Sequence, residues 1–422
     1  MKRQSFLLIL VLILSLGANA CSTYKVTVDG KTVQGVNYDT WLEHPRIWFE
    51  TNGYGAVFTG ANFQGGNDLT PQSGMNEWGL SFSTLAAHTP EMGAPPTGRK
   101  SIPGRSKYLK DILHACKTVE EVQAYIEQYD HSVLSQDVFI YTDRSGKYLV
   151  VEPYQLIPGT DDKYVLANFC PSTITDFNGI TQERYRNGVA FLQNKSDTSL
   201  AFYTALSDTM SVNRKKLGDG TLLTSIWDVS KGIAHLYFYH DYDHHVQFNL
   251  EKELAKGDHS YEITSLFPVN TKYQDLVGFK TPLNSSGIEI FLRICIMLFV
   301  ASCFYFLISY FRNRTVAYAK YKLLLSILSL CMAYFMFVLE TEIGIYYFPA
   351  PYHGHGSVMV DMAAYLPFLL LLLIIPLVVV NTNVFKRGSW RLFSAFLFGL
   401  NNLVYIVLIV LFSYWGLYNV FG

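Results

Sequence analysis

Short stretches in which apolar and polar residues alternate fill the chain up to about residue 280, and four long apolar runs fill most of the remainder. Alternation over 24–28 and 32–37, on either side of Asp29-Gly30, predicts a β-hairpin. Further strands are predicted over 46–63, 78–85, 138–142, 148–152, 164–168, 224–229, 234–240 and 246–250, with turns at 143–146 and at Lys231-Gly232. Helical spacing occurs over 106–116, 118–129, 181–193 and 199–209, and Thr118 followed by Glu121 is a capping box that starts the second of these. Strands, then helices, then strands again predict layered sheets covered by helices, an α+β arrangement rather than alternating parallel units. The stretch 89–105 holds four prolines and three glycines and reads as a long surface loop of the kind that bounds a substrate entrance.

The four apolar runs, roughly 288–311, 322–341, 358–380 and 391–418, are each long enough to cross about 30 Å of hydrocarbon as a helix, which predicts an all-α transmembrane domain over 288–418. Arg312, Arg314, Lys320 and Lys322 follow the first run, and Lys386, Arg387 and Arg391 follow the third. The connector after the second run, 342–357, carries no Lys or Arg. The positive-inside rule puts both basic connectors in the cytoplasm. It thereby puts the preceding domain, over 21–280, and the C-terminus on the extracytoplasmic, periplasmic side.

The beginning of the chain agrees with that orientation. Lys2 and Arg3 precede an apolar run too short for a comfortable span, and Ala18 and Ala20 stand where a signal peptidase reads small residues. Residues 1–20 are thus expected to be a signal peptide, and cleavage would leave Cys21 at the new N-terminus with an α-amine that titrates near neutrality beside its own thiol. Three readings of Cys21 follow from the junction: an N-terminal nucleophile, a lipoprotein cysteine that is acylated and anchors the chain, and a buried thiol without a role. Leu usually stands three before a lipoprotein cysteine, and Ala18 stands there in this chain.

A net charge of −1 leaves no basic face for nucleic acid. Of the six cysteines, Cys116 and Cys170 are the pair that could form a disulfide in the first domain if Cys21 is a nucleophile, and no Cys pair has metal-site spacing. His235, His240, His244 and His245, with Asp241 and Asp243, invite a metal reading. Strand alternation over 233–238 and a turn over 241–243 would splay them to different faces, so no metal is expected there. Glu289, Arg293, Glu340, Glu342, His353, His355 and Asp361 gather toward the outer ends of the apolar runs, where water is available. Asn401 and Asn402, deep in the last run, are expected to bond other helices.

Several motifs, in order over about 230 residues, resemble those of the choloylglycine hydrolase and penicillin V acylase family, the N-terminal-nucleophile hydrolases of linear amides. They are Cys21, Gly35-Val36-Asn37-Tyr38-Asp39-Thr40-Trp41, Met75-Asn76-Glu77-Trp78-Gly79-Leu80 and Tyr141-Thr142-Asp143-Arg144-Ser145-Gly146. Val150-Val151-Glu152-Pro153, Val165-Leu166-Ala167-Asn168, Glu183-Arg184-Tyr185 and Thr224-Ser225-Ile226-Trp227-Asp228 continue the series. The resemblance implies an αββα N-terminal-nucleophile hydrolase sandwich. It also implies roles: Cys21 as nucleophile, Asp39 as the carboxylate that orients the terminal amine, Asn168 as a side-chain donor of the oxyanion hole, and Arg184, or Arg186 one register on, as the arginine near the nucleophile. A second oxyanion donor is implied near Ala86, as a backbone N–H.

The chain departs from the pattern at two places. Val36 stands where the family usually has Arg, and Ala86 stands where bile-salt hydrolases often have Asn, which turns the expectation away from bile salts. The expected function is an extracytoplasmic, membrane-tethered cysteine amidase that cleaves the C–N bond of an N-acyl substrate, such as an N-acyl lipid or N-acyl amino acid, through an acyl-thioester, with no cofactor. The expected partners are that small molecule, the lipid bilayer and signal peptidase. The rival class is a lipoprotein or membrane sensor whose amidase-like domain binds a ligand without cleaving it; its short cytoplasmic connectors would require a partner protein to carry a signal.

Overall fold

The computed structural model describes residues 21–40, 44–62, 69–87, 98–193, 197–214, 219–342, 344–347, 350–351 and 357–419. The leader expected over 1–20 and part of the loop expected over 89–105 lie outside the described residues. The chain divides into two compact units, one spanning Asn19–Gly278 and the other including Phe279–Gly422.

The first unit is built on two antiparallel sheets. One has the order Lys163–Leu166, Ser22–Val28, Lys31–Thr40, Asp219–Asp228, Ile233–Phe238 and Asp241–Asn249, with the short strand Asn213–Arg214 beside Asp219–Asp228. The other runs His259–Glu262, His44–Glu50, Ala56–Asn62, Thr70–Asn76, Ser81–Ala86, Asp137–Thr142, Tyr148–Val151 and Leu156–Gly159. Because side chains alternate across a strand, each sheet offers an inner and an outer face, and both faces of both sheets carry buried apolar residues. Val36, Leu223 and Trp227 of the first sheet share a core with Ile47, Val57, Met75, Leu85 and Ile140 of the second. The second sheet turns Phe58, Phe82, Phe139 and Tyr141 outward onto Tyr108, Leu109, Ile112 and Val122 of the helices Arg105–Ala115 and Val119–Ile126. The first sheet turns Tyr24, Val26, Val33 and Ile226 outward onto Leu192, Phe202 and Leu206 of the helices Glu183–Gln193 and Leu200–Thr209. Three apolar layers between four layers of structure make an αββα sandwich, the fold class expected of an N-terminal-nucleophile hydrolase.

Most of the expected local signals are used. Thr118 Oγ1 accepts from the Glu121 backbone N–H at 3.3 Å, as the capping box requires. The Asp29-Gly30 turn joins the first two strands, with both residues at positive φ (49° and 72°). Two elements differ from expectation. Trp78 and Gly79 lie in a turn, Gly79 at φ 78°, and the strand begins at Ser81. The hairpin after Phe238 turns at Tyr239 and His240, both at positive φ (48° and 58°), and 241–243 opens the next strand instead of forming the turn. A two-residue turn of this kind takes Asn or Gly most readily, so Tyr-His gives no signal in the sequence.

None of the six cysteines forms a disulfide. Cys116 lies in the outer helix-on-sheet layer and Cys170 in the inter-sheet core, so these two are held in separate layers.

In the second unit four helices are long and apolar enough to span a membrane: Ser286–Arg312, Ala319–Thr341, Val358–Arg387 and Leu392–Tyr414. The third is interrupted at Ala364 and Tyr365, which keep right-handed backbone angles, and Pro367 lies in the first turn of its longer second part, where a missing N–H costs no helical bond. Arg293 pairs with Glu289 one turn away, and its Nε lies 3.5 Å from Glu340 Oε2. Asn401 Nδ2 donates to Ser302 Oγ at 2.9 Å and Asn402 Nδ2 to the Leu377 carbonyl at 3.4 Å, so both link their helix to a neighbouring one.

Candidate active site

Cys21 stands immediately before the strand Ser22–Val28, which lies next to the edge strand Lys163–Leu166 of the first sheet, and its side chain is buried in the inter-sheet core. Its Sγ donates to the Asp39 backbone carbonyl at 3.8 Å. Asp39, near the end of the adjacent strand, is itself buried. A carboxylate taken out of water needs hydrogen-bond donors, and Thr221 Oγ1 supplies one to Oδ1 at 2.5 Å. Thr221 is the direct cross-strand partner of Asp39, and its hydroxyl accepts from the Val212 N–H at 2.9 Å, which fixes it in place.

Asn168 and Arg184 come from a different part of the sequence and meet on the other side of Cys21. Arg184 Nε donates to the Cys21 carbonyl at 3.4 Å, and Nη2 donates to Asn168 Oδ1 at 2.6 Å. Asn168 Nδ2 donates to the Ala86 carbonyl at 2.7 Å. A guanidinium has only donors, so the Arg184 contact assigns the Asn168 carboxamide oxygen to that side and leaves the nitrogen, with its two hydrogens, facing the other way. One hydrogen is held by Ala86, and the second has no partner among the described residues. The group that Ala86 turns toward Asn168 is its carbonyl, whereas a backbone N–H was expected of this position.

Val36, where an arginine was expected by resemblance, is buried among apolar side chains between the sheets. The cation that reaches the Cys21 backbone comes instead from Arg184, on the helix Glu183–Gln193.

Two residues at this site carry no signal in the sequence, Thr221 and Gln182. Gln182 Oε1 accepts from Arg184 Nη2 at 3.1 Å, and Gln182 Nε2 donates to the Asn168 backbone carbonyl at 3.0 Å. The Gln182 carbonyl accepts from the Arg186 N–H at 3.2 Å, which makes Gln182 the residue that opens the helix. That position favours Ser, Thr, Asp or Asn, worth about 1 kcal/mol over a residue that cannot cap. Arg184, in the first turn, opposes the helix dipole by about 0.3–1 kcal/mol. Two residues that are locally unfavourable for the helix both point into one cluster, and departures of this kind concentrate at functional sites.

Among the described residues no group of three or more His, Cys, Asp or Glu side chains converges as metal ligands would. In the histidine-rich hairpin His244 Nδ1 contacts Asp241 Oδ2 at 2.9 Å, while the His235 ring packs near that of His245 at 5.8 Å. An open cavity of about 430 Å³ lies beside this hairpin, lined by Asp208, His240, Asp243 and Lys272 among others.

No family model matches the chain, and no curated protein matches it. Among solved structures it is similar to one variant of conjugated bile acid hydrolase from Clostridium perfringens, at 17% identity over 59% of this chain and 99% of that one, with a TM-score of 0.48. A second variant of the same hydrolase gives 16% identity, 60% and 97% coverage and a TM-score of 0.44. Penicillin V acylase from Agrobacterium tumefaciens gives 14% identity, 52% and 82% coverage and a TM-score of 0.40. At such identities a likeness concerns fold, and chemistry has to be argued from the site.

Proposed function

We propose that this protein is an extracytoplasmic, membrane-tethered cysteine amidase that hydrolyses the C–N bond of an N-acyl substrate through an acyl-thioester on Cys21. The observation that carries the reading is the convergence of Cys21, Asp39, Asn168 and Arg184, from three separate stretches of sequence, through contacts of 3.8, 3.4 and 2.6 Å. A nucleophile, a buried carboxylate, an amide donor and a cation are the parts such a reaction needs.

In the mechanism, removal of residues 1–20 frees the Cys21 α-amine, which takes the thiol proton. The thiolate attacks the substrate carbonyl, forming the C–S bond as the carbonyl π pair moves to oxygen. The second hydrogen of Asn168 Nδ2 meets that oxyanion, and the Arg184 contact on Oδ1 draws charge toward the carboxamide oxygen and sharpens the nitrogen as a donor. The ammonium then protonates the leaving amine as the C–N bond breaks. Water, activated by the same amine, attacks the thioester, returns the thiol and releases the carboxylic acid. Asp39 holds the terminal amine in place.

The four long apolar helices favour an amphiphilic substrate, an N-acyl lipid or N-acyl amino acid, met at the outer face of the bilayer. The test is turnover of N-acyl para-nitroanilides of graded chain length by the full chain in detergent, with Cys21→Ala as control and the thioester trapped by acid quench. Amide cleavage that survives in Cys21→Ala would remove the reading.

A further inference from the structure

We propose that Gln182 is a positioning residue of this site, one that holds Asn168 in its donor orientation by bracing both Asn168 and Arg184; the proposal rests on the amidase reading. The three side chains and one carbonyl close a ring. Arg184 Nη2 donates to Asn168 Oδ1 at 2.6 Å and to Gln182 Oε1 at 3.1 Å, and Gln182 Nε2 donates to the Asn168 carbonyl at 3.0 Å.

The ring has a single consistent assignment. Arg184 can only donate, so it requires oxygen from both carboxamides that face it, and this turns Gln182 Nε2 toward the Asn168 carbonyl, an acceptor. Gln182 therefore grips Asn168 by its backbone and Arg184 by its fork. Without that grip the guanidinium loses one of the two carboxamide oxygens that fix it, and the segment that carries Asn168 loses its tie to the start of the helix Glu183–Gln193. The Ala86 carbonyl, which takes one hydrogen of Asn168 Nδ2 at 2.7 Å, then no longer meets a fixed partner. Small displacements of an oxyanion donor are costly because the donor must stand where the charge forms.

The Gln182 carboxamide bonds Asn168 and Arg184, not the nucleophile; an effect carried by Asn168 needs Asn168 in place, whereas one carried through Arg184 to the Cys21 carbonyl does not. That gives the role a signature which general loss of structure lacks: dependence on Asn168 being present.

The experiment is a double-mutant cycle on the full chain in detergent, with N-lauroyl para-nitroanilide as the probe. Gln182→Leu is expected to lower kcat by roughly tenfold, with KM within about twofold, in the otherwise native chain. In the Asn168→Ala background the same substitution is expected to change kcat by less than about twofold. Gln182→Met serves as a second apolar variant, and both are compared only where their thermal midpoints match the native protein. An equal loss in both backgrounds, a loss confined to KM, or no loss in the native background overturns the positioning role while leaving the amidase intact. A native chain that cleaves no amide, or cleaves it equally well as Cys21→Ala, overturns the amidase reading and this role with it.

Discussion

Arg184 Nη2 stands 2.6 Å from Asn168 Oδ1, and that contact decides which end of the Asn168 carboxamide is offered to a bound group. Asn168→Ala removes the donor and is expected to lower kcat by about 10²- to 10³-fold with little change in KM. Arg184→Met leaves the carboxamide free to turn over, and the expected loss reaches about 10²-fold. Steady-state kinetics on an N-acyl para-nitroanilide separates the two; an Arg184→Met enzyme with native kcat would contradict the orienting role.

Thr221 meets Asp39 at 2.5 Å and is in turn held by the Val212 N–H at 2.9 Å. Thr221→Val keeps the shape but withdraws the hydroxyl from both. Each buried group left without its partner costs about 1–3 kcal/mol. A clear drop in the thermal midpoint of the full chain is expected, and an unchanged midpoint would show that neither bond contributes.

The first unit should lose stability on the acid side through His131. Burial, and then the charge of Arg99, push its imidazole down to about 4, and its Nε2 meets the Tyr108 hydroxyl at 2.7 Å. In the unfolded chain the same group takes a proton near its ordinary 6.5, so stability is complete above that value and falls as the pH drops from 6.5 through 4. The full loss is on the order of 3 kcal/mol. His131→Gln does not titrate, so its thermal midpoint should fall less steeply across that window than the native one. Parallel curves would contradict this assignment. Glu50 adds to this slope only at its acid end: burial alone would raise its carboxyl, but hydrogen bonds from His114 and Lys110 hold it at about 2, so its contribution is lost as the pH falls from its ordinary 4.5 toward 2.

In the second unit, Asn401→Leu breaks the bond to Ser302. Interhelical bonds of this type average about 0.6 kcal/mol and reach about 1.7. A small decrease in thermal stability is expected, with kcat on a water-soluble anilide unchanged if the helices act as a tether. A large loss of kcat at native stability would assign the bundle a part in catalysis.

Much of this architecture was legible in the sequence because it rests on periodicity. The Asp29-Gly30 hairpin, the Thr118 cap and the four apolar helices each follow from spacing and turn chemistry alone. The strand Thr70–Asn76 was not legible, since Pro71, Ser73 and Gly74 interrupt any apolar alternation, and it is its neighbours on both sides that hold it in the sheet. His259–Glu262 is too short and too polar to signal, and forms because His44–Glu50 offers it an edge. At the site, Cys21, Asp39, Asn168 and Arg184 could be proposed from motifs. Gln182 and Thr221 could not, because their importance lies in which atoms they face across 14 and 182 residues of chain.

The proposed chemistry cannot proceed without a terminal amine on Cys21. Intact mass and N-terminal sequencing of the protein purified from membranes test this directly. The account predicts a chain that begins at Cys21 with both amine and thiol unmodified. A Cys21 that carries a diacylglyceryl group and an N-acyl chain, or a chain that keeps its first twenty residues, has no base beside the thiol and would contradict it.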